Sequence, residues 1–175
     1  ITAPDDDDYY YTDAISDSAS AFIKQHFNQY ASPFFMYVSY TAPHWPLHAL
    51  KQDIEKNEGL FDSGWDSLRQ ERLRKMIDLD IVKNDQSLST RDENIVPWDS
   101  VNNKSLELKK MEVYAAQITS MDKGIGRIVK TLAKMKVLDN TLFIFLADNG
   151  GCAEEFSQST AWVRRYGPIL TKEKK

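Results

Sequence analysis

The stretch Thr141 to Gly151, TLFIFLADNGG, constrains the fold more than any other. Leu142, Phe143, Ile144, Phe145 and Leu146 carry no polar residue on either face, as a strand does when sheet neighbours flank it and helices cover both sides. The run ends in Asp148, Asn149, Gly150 and Gly151. In open α/β sheets ligands bind at that end of a strand, and Asp and Asn offer hard oxygens suited to Ca²⁺ or Mg²⁺. Adjacent side chains on a strand point to opposite faces. Both reach one ion only if the backbone leaves strand geometry, which Gly150-Gly151 permits. An Asn-Gly hairpin turn is the other reading of these residues. The next segment, CAEEFSQST, is no return strand.

A second strand is expected from Phe34 to Tyr40, a short aromatic and β-branched run behind Pro33. It too ends in a polar loop, Thr41-Ala42-Pro43-His44-Trp45-Pro46-Leu47-His48. The two prolines restrict the backbone on both sides of His44-Trp45. A rigid loop at a strand end that presents an imidazole is how a scaffold places a functional group. The alternative is a structural loop whose histidine only satisfies a hydrogen bond.

Helices are expected around these strands. Thr12 can cap the first, and Ile15, Ala19, Phe22, Ile23 and Phe27 recur at helical spacing through Gln29. His26 reads as a surface or boundary residue of that helix. Asp66 to Asp80 follows as a helix with Leu68, Leu73, Met76, Ile77 and Ile81 inward. Residues 84–105 are polar and irregular, the character of a functional cover, with Trp65 and Trp98 as its anchors. The longest helix runs from Leu106 to Lys136, with a stripe of Met111, Tyr114, Ile118, Met121, Ile125, Ile128, Leu132 and Met135. Gly124 and Gly126 interrupt it mid-helix, which points to close helix packing and not to a phosphate loop.

Strand, helical excursion, strand is a βαβ crossover, so the fold class is α/β and the two strands are expected to run parallel. Parallel strands end on one rim, where His44 would meet Asp148 and Asn149. An imidazole beside a divalent metal suits hydrolysis of a charged ester.

A chain of 175 residues suits one domain, and 42% apolar with 27% charged residues is ordinary for a globular protein. The net charge of −4 gives no electrostatic case for nucleic acid or an anionic membrane. No apolar run approaches the ~20 residues of a membrane span. Asp5 to Asp8 read as a solvated charge run, with a cation site as the lesser alternative, and no basic n-region of a signal peptide lies within Ile1 to Tyr11. Cys152 is the sole cysteine, so no internal disulfide is expected.

The segments Pro33 to His48 and Tyr114 to Gly151 closely resemble the formylglycine-dependent sulfatases, especially their bacterial arylsulfatase branch. Gly64-Trp65-Asp66 and Arg91-Asp92-Glu93-Asn94 match that branch as well. The resemblance implies an alkaline-phosphatase-like (sulfatase) α/β fold, of which residues 1–175 would form the middle portion of a single catalytic domain. It implies hydrolysis of sulfate esters, on carbohydrate or aryl groups, by a formylglycine nucleophile beside a Ca²⁺ ion. By position, Asp148 and Asn149 match two of the metal ligands, and His44 matches the histidine that contacts the substrate sulfate and serves the leaving-group oxygen. Trp45 and His48 would line the same mouth. A periplasmic or secreted location is expected from the resemblance.

The sequence departs from the family in three places. It has no C/S-x-P-x-R nucleophile motif, no upstream Asp pair for the metal, and no Lys…Glu-Gly-Gly segment after Tyr166-Gly167-Pro168. The isolated chain is therefore expected neither to bind calcium tightly nor to turn over sulfate esters. A non-catalytic fragment or pseudoenzyme, or a phosphatase or phosphodiesterase of the same superfamily, are the competing readings.

Overall fold

The computed structural model describes residues 9–151. Four helices carry the architecture: α1 (Tyr11–Gln29), α2 (Lys51–Lys56), α3 (Gly64–Asp78) and α4 (Lys104–Lys134). Single 3-10 turns stand at Trp98–Ser100 and Leu138–Asn140. Asp5 to Asp8, Cys152 and the segment after it lie outside the described residues.

The core is the seam between α1 and α4, and small residues build most of it. Thr12, Ser16, Ala19, Ser20 and Ile23 are buried on one side of α1, spaced by three and four so that they share a face. The facing side of α4 buries Ala116, Ser120, Gly124, Ile128 and Leu132. A Cβ on Gly124 would stand 2.1 Å from Ser16 Oγ, so the helices meet here only because glycine has none. The helices run in the same direction, since Ser16 faces Gly124 and Phe27 shares a surface groove with Met135 and Val137. Arg127 clamps them together, donating to Asp13 at 2.6 Å and to Asp17 at 3.1 Å. An apolar cluster of Ala19, Ile23, Ile128 and Leu132 closes one end of the seam, covered by Phe27, Phe34, Met36 and Val38 among others.

The expected strands form no ladder among the described residues, so their parallel pairing is not seen at this level. Residues 34–40 are extended, and Phe34, Met36 and Val38 turn to the core while Phe35 is 93% exposed. This segment runs back along α1, because the Phe34 ring lies 5.5 Å from Phe27 and the Tyr40 hydroxyl 2.8 Å from Ser16 Oγ. Residues 141–151 run back along α4, from Val137 at the core to Gly151 beside the Tyr114 hydroxyl. Both segments thus point the same way, yet no backbone hydrogen bond joins them. A strand exists through its neighbours. Leu142 and Leu146 on one face are 84% and 80% exposed and Phe145 on the other is 72% exposed, so among the described residues this apolar run is largely uncovered.

The helices differ from expectation in what they bury. In the first half of α4 the most buried positions are Glu112, Ala116, Gln117 and Ser120, not the stripe of Met111, Tyr114, Ile118 and Met121. Small and hydrogen-bonded polar residues allow the close seam, and a hydrophobicity pattern is blind to them. Thr12 lies buried inside the first turn of α1, and Tyr10 is the residue that precedes the helix. Phe22 is exposed. On α3 the residues Leu68, Leu73, Met76 and Ile77 are only half-buried and Ile81 is exposed, because α3 packs mainly against the turn at Trp98–Ser100. Asp80, with φ 55°, takes the left-handed conformation just past the end of α3.

The seam predicts a contrast between two glycines of one helix. A Cβ at Gly126 would meet nothing within 4 Å, whereas at Gly124 it would displace Ser16. Gly124→Ala should therefore be less stable than Gly126→Ala by about 1–3 kcal/mol in denaturant unfolding. Equal midpoints for the two variants would mean that the seam is not closely packed at this point.

Candidate active site

The loop that carries the histidines is held at both ends by helix α1. Tyr40 precedes it and contacts Ser16 Oγ. After it, the buried Tyr10 hydroxyl donates to the His48 carbonyl at 3.0 Å, and the two rings meet edge-on at 5.5 Å. Within the loop the His44 N–H donates to the Thr41 carbonyl at 2.9 Å. His44 Nδ1 lies 2.8 Å from the Trp45 carbonyl. A carbonyl only accepts, so Nδ1 carries a proton and Nε2 is the basic nitrogen of the neutral ring. His44 and His48 are exposed and Trp45 is half-buried. The bonds that flank both prolines, Ala42-Pro43 and Trp45-Pro46, are cis.

Five residues past His48 the chain is bolted to α4. Asp53 is 1% exposed and accepts from Ser120 Oγ at 2.8 Å, from Lys123 Nζ, and from Lys56 Nζ at 3.3 Å. Burial by itself would raise its carboxyl. The hydrogen bonds and positive charge of Lys123, with Ser120 and Lys56, outweigh that and hold it below the usual carboxylate range. Asn57 donates to Thr119, and the Gly59 N–H donates to the buried Glu112. The α2 region therefore runs antiparallel to α4 and fixes the far side of the histidine loop.

Asp148 and Asn149 lie near the end of the 141–151 segment, just before Gly151, which stands beside Tyr114 in the first half of α4. The chain bends at residues 148–150, as a shared ion would require, and the Asn149 N–H donates to Asp148 Oδ1 at 2.9 Å. The bend is made without a left-handed glycine, since the positive-φ glycines described are Gly59 and Gly64. The histidine loop lies over the first turns of α1 and the Asp148 bend beside the first half of α4. Because the helices are parallel, both sit toward the same end of the bundle.

The donor set does not complete a metal site. Among the described residues no group of three or more His, Cys, Asp or Glu side chains is close enough to hold an ion. Calcium takes six to eight oxygens, and Asp148 and Asn149 offer two side chains that are both exposed. They fit a part of a calcium site and not a whole one.

Residues 84–105, expected as a functional cover, pack against α3 where the structure gives them contacts. Asp66 ties them down, accepting from the Trp98 N–H at 2.8 Å and from Arg91 at 2.5 Å, and the Trp98 bond first, then Arg91, hold its carboxyl below the usual range. Trp65 donates to the Val96 carbonyl at 3.1 Å and meets Trp98 edge-on at 4.7 Å. Trp98 is buried over Gly64, where φ is +73° and a Cβ would stand 2.2 Å from the indole. Both tryptophans therefore hold this segment to α3. His26 is structural too: its Nε2 lies 2.8 Å from the Ser32 carbonyl and its ring packs on Phe27 and Phe34.

Asp53, Tyr10 and Tyr40 support the loop, and none stands out in the sequence. Their partners lie 24 to 70 residues away. The one local trace is Lys56 three residues after Asp53, which reads as an ordinary helix-face pair.

Comparison with protein families and curated proteins places this scaffold. The Sulfatase family matches residues 1–172. An uncharacterized sulfatase of Schizosaccharomyces pombe is 37% identical over 129 residues, which cover 67% of this chain and 22% of the relative. The arylsulfatase of Klebsiella aerogenes is 31% identical over 146 residues, 82% of this chain and 31% of that enzyme. The arylsulfatase of Clostridium perfringens is 30% identical over 143 residues, 79% and 25% respectively. The chain belongs to the sulfatase family, whose fold is of the alkaline-phosphatase-like α/β type. It spans between about a fifth and a third of the length of these relatives.

The Asp53 cluster sets a pH dependence. A carboxyl whose folded pKa is lowered adds stability that is present above its unfolded value, near 3.8, and is lost as pH falls toward the folded value. Asp53→Asn should cost about 1–3 kcal/mol at neutral pH. It should also flatten the loss of stability of the wild-type protein below about pH 4. Parallel stability curves for the two proteins between pH 5 and 2 would show that the carboxylate is not held in its charged form.

Proposed function

We propose that the full-length protein is a sulfuric ester hydrolase of arylsulfatase type, and that residues 1–175 are the middle portion of its catalytic domain. The observation that carries this reading is the shared end of the bundle, where a histidine on a clamped loop and an Asp-Asn pair on a bent segment lie on a chain of the sulfatase family. In the intact fold, residues 34–40 and 142–146 would be parallel strands of one sheet. Their common direction and their exposed apolar side chains support this.

The chemistry follows from the residues. His44, with Nδ1 fixed on the Trp45 carbonyl, has Nε2 as the nitrogen that exchanges a proton with the oxygen leaving sulfur. As an imidazolium it also favours the negative charge of the sulfate group. Trp45 and His48 form the wall of the mouth beside it. Asp148 and Asn149 would offer two hard oxygens to a calcium ion, which would balance charge on the transferred group. The formylglycine that serves as nucleophile in the family derives from a C/S-x-P-x-R motif, which these 175 residues do not contain. The substrate is a sulfate ester of a carbohydrate or an aryl alcohol, and a periplasmic or secreted location suits such an enzyme. No helix among the described residues is long and apolar enough to cross a membrane.

Two expectations follow. In the full-length protein His44→Ala should lower kcat/KM for an aryl sulfate by about 10²–10⁴-fold, measured by release of the phenol. Activity within a factor of two of wild type would remove His44 from the chemistry. The 175-residue chain alone should show no turnover and no micromolar calcium binding in a calorimetric titration, because the donor set among the described residues is incomplete. Micromolar affinity would mean that a full set of ligands lies within this chain.

A further inference from the structure

We propose that Tyr10 and Tyr40 are positioning residues for His44 and His48, acting through the two ends of the loop that carries them. The hydrogen bonds have a definite direction. Ser16 Oγ is fully buried and donates its single proton to the Thr12 carbonyl at 3.0 Å. It must therefore accept from the Tyr40 hydroxyl, 2.8 Å away. The Tyr10 hydroxyl donates to the His48 carbonyl, and its ring packs against the imidazole of the same residue. Both hydroxyls are engaged by protein partners, so their influence on chemistry runs through the loop.

The two anchor points stand on one rigid element. Tyr10 immediately precedes α1 and Ser16 lies in its second turn, six residues on, or about 9 Å along the axis. The entry and the exit of the loop are thus referred to one short length of helix. Gly124 of α4 completes the device, because a Cβ there would come within 3.2 Å of the Tyr40 hydroxyl as well as onto Ser16. The packing seam and the entry of the histidine loop meet at one point.

The role of this loop in catalysis rests on the sulfatase reading, but its positioning does not, so two measurements are needed. The first is hydrogen exchange on the full-length protein with Tyr10→Phe and Tyr40→Phe, which keep the rings. Each change should speed exchange of amides in residues 41–50 about five-fold, the loss of one net hydrogen bond, and leave α4 unchanged. Unaltered exchange in 41–50, or equal acceleration along α4, overturns the proposal. The second is turnover of 4-nitrophenyl sulfate. Each variant should lower kcat about 10–100-fold with KM little changed, and should cost nothing further in a His44→Ala background. Equal losses in both backgrounds overturn the link to His44. A wild-type protein with no turnover contradicts the sulfatase reading alone, and the exchange measurement still decides the positioning claim.

Discussion

The close approach of α1 and α4 at Gly124 is the constraint on which the rest depends. Without a Cβ there, Ser16 fits against the facing helix, and its hydroxyl becomes the fixed acceptor for Tyr40. From that contact the chain passes directly into the histidine loop, and Tyr10 closes the loop one helical turn and a half away. Beside this point, Asp53 binds Ser120 and Lys123 of α4 and holds the return path. The seam thus sets both the distance between the helices and the register of the loop. Mutual support between packing and polar contacts of this kind narrows a chain to one arrangement.

Buried polar groups are the unusual feature of this seam. Ser16, Ser20, Asp53, Glu112, Gln117 and Ser120 are all buried, and each except Ser20 and Gln117 has a described hydrogen-bond partner. A satisfied polar network contributes little net stability, but removing one partner leaves another without its bond. The bonds that Asp53 and Glu112 make between the α2 region and α4 set the register of that pairing, since a shift by one residue would break them.

The parts legible in the sequence are those governed by local rules. The spacing of Ile23 and Phe27 marks α1 as far as Gln29, and that of Ile128 and Leu132 marks the buried end of α4. The rigid loop between Pro43 and Pro46 and the Asp148-Asn149 pair are also visible without coordinates. The seam is not, because Ala116, Ser120 and Gly124 are too small or too polar to register as core. The tyrosine and Asp53 contacts are illegible for a different reason, namely that each joins residues far apart in the chain. The strand reading of Leu142 to Leu146 marks an apolar run that is exposed and forms no ladder among the described residues, since a ladder depends on neighbours and not on the run itself.

The account stands on His44 and the Asp148-Asn149 pair serving one centre at the common end of α1 and α4. A crystal structure of the full-length protein with calcium and an aryl sulfate analogue tests this most directly. The account predicts oxygens of Asp148 and Asn149 on the metal, and His44 Nε2 turned toward the sulfate group. A metal held by other residues, with His44 facing away from the sulfate, would contradict it.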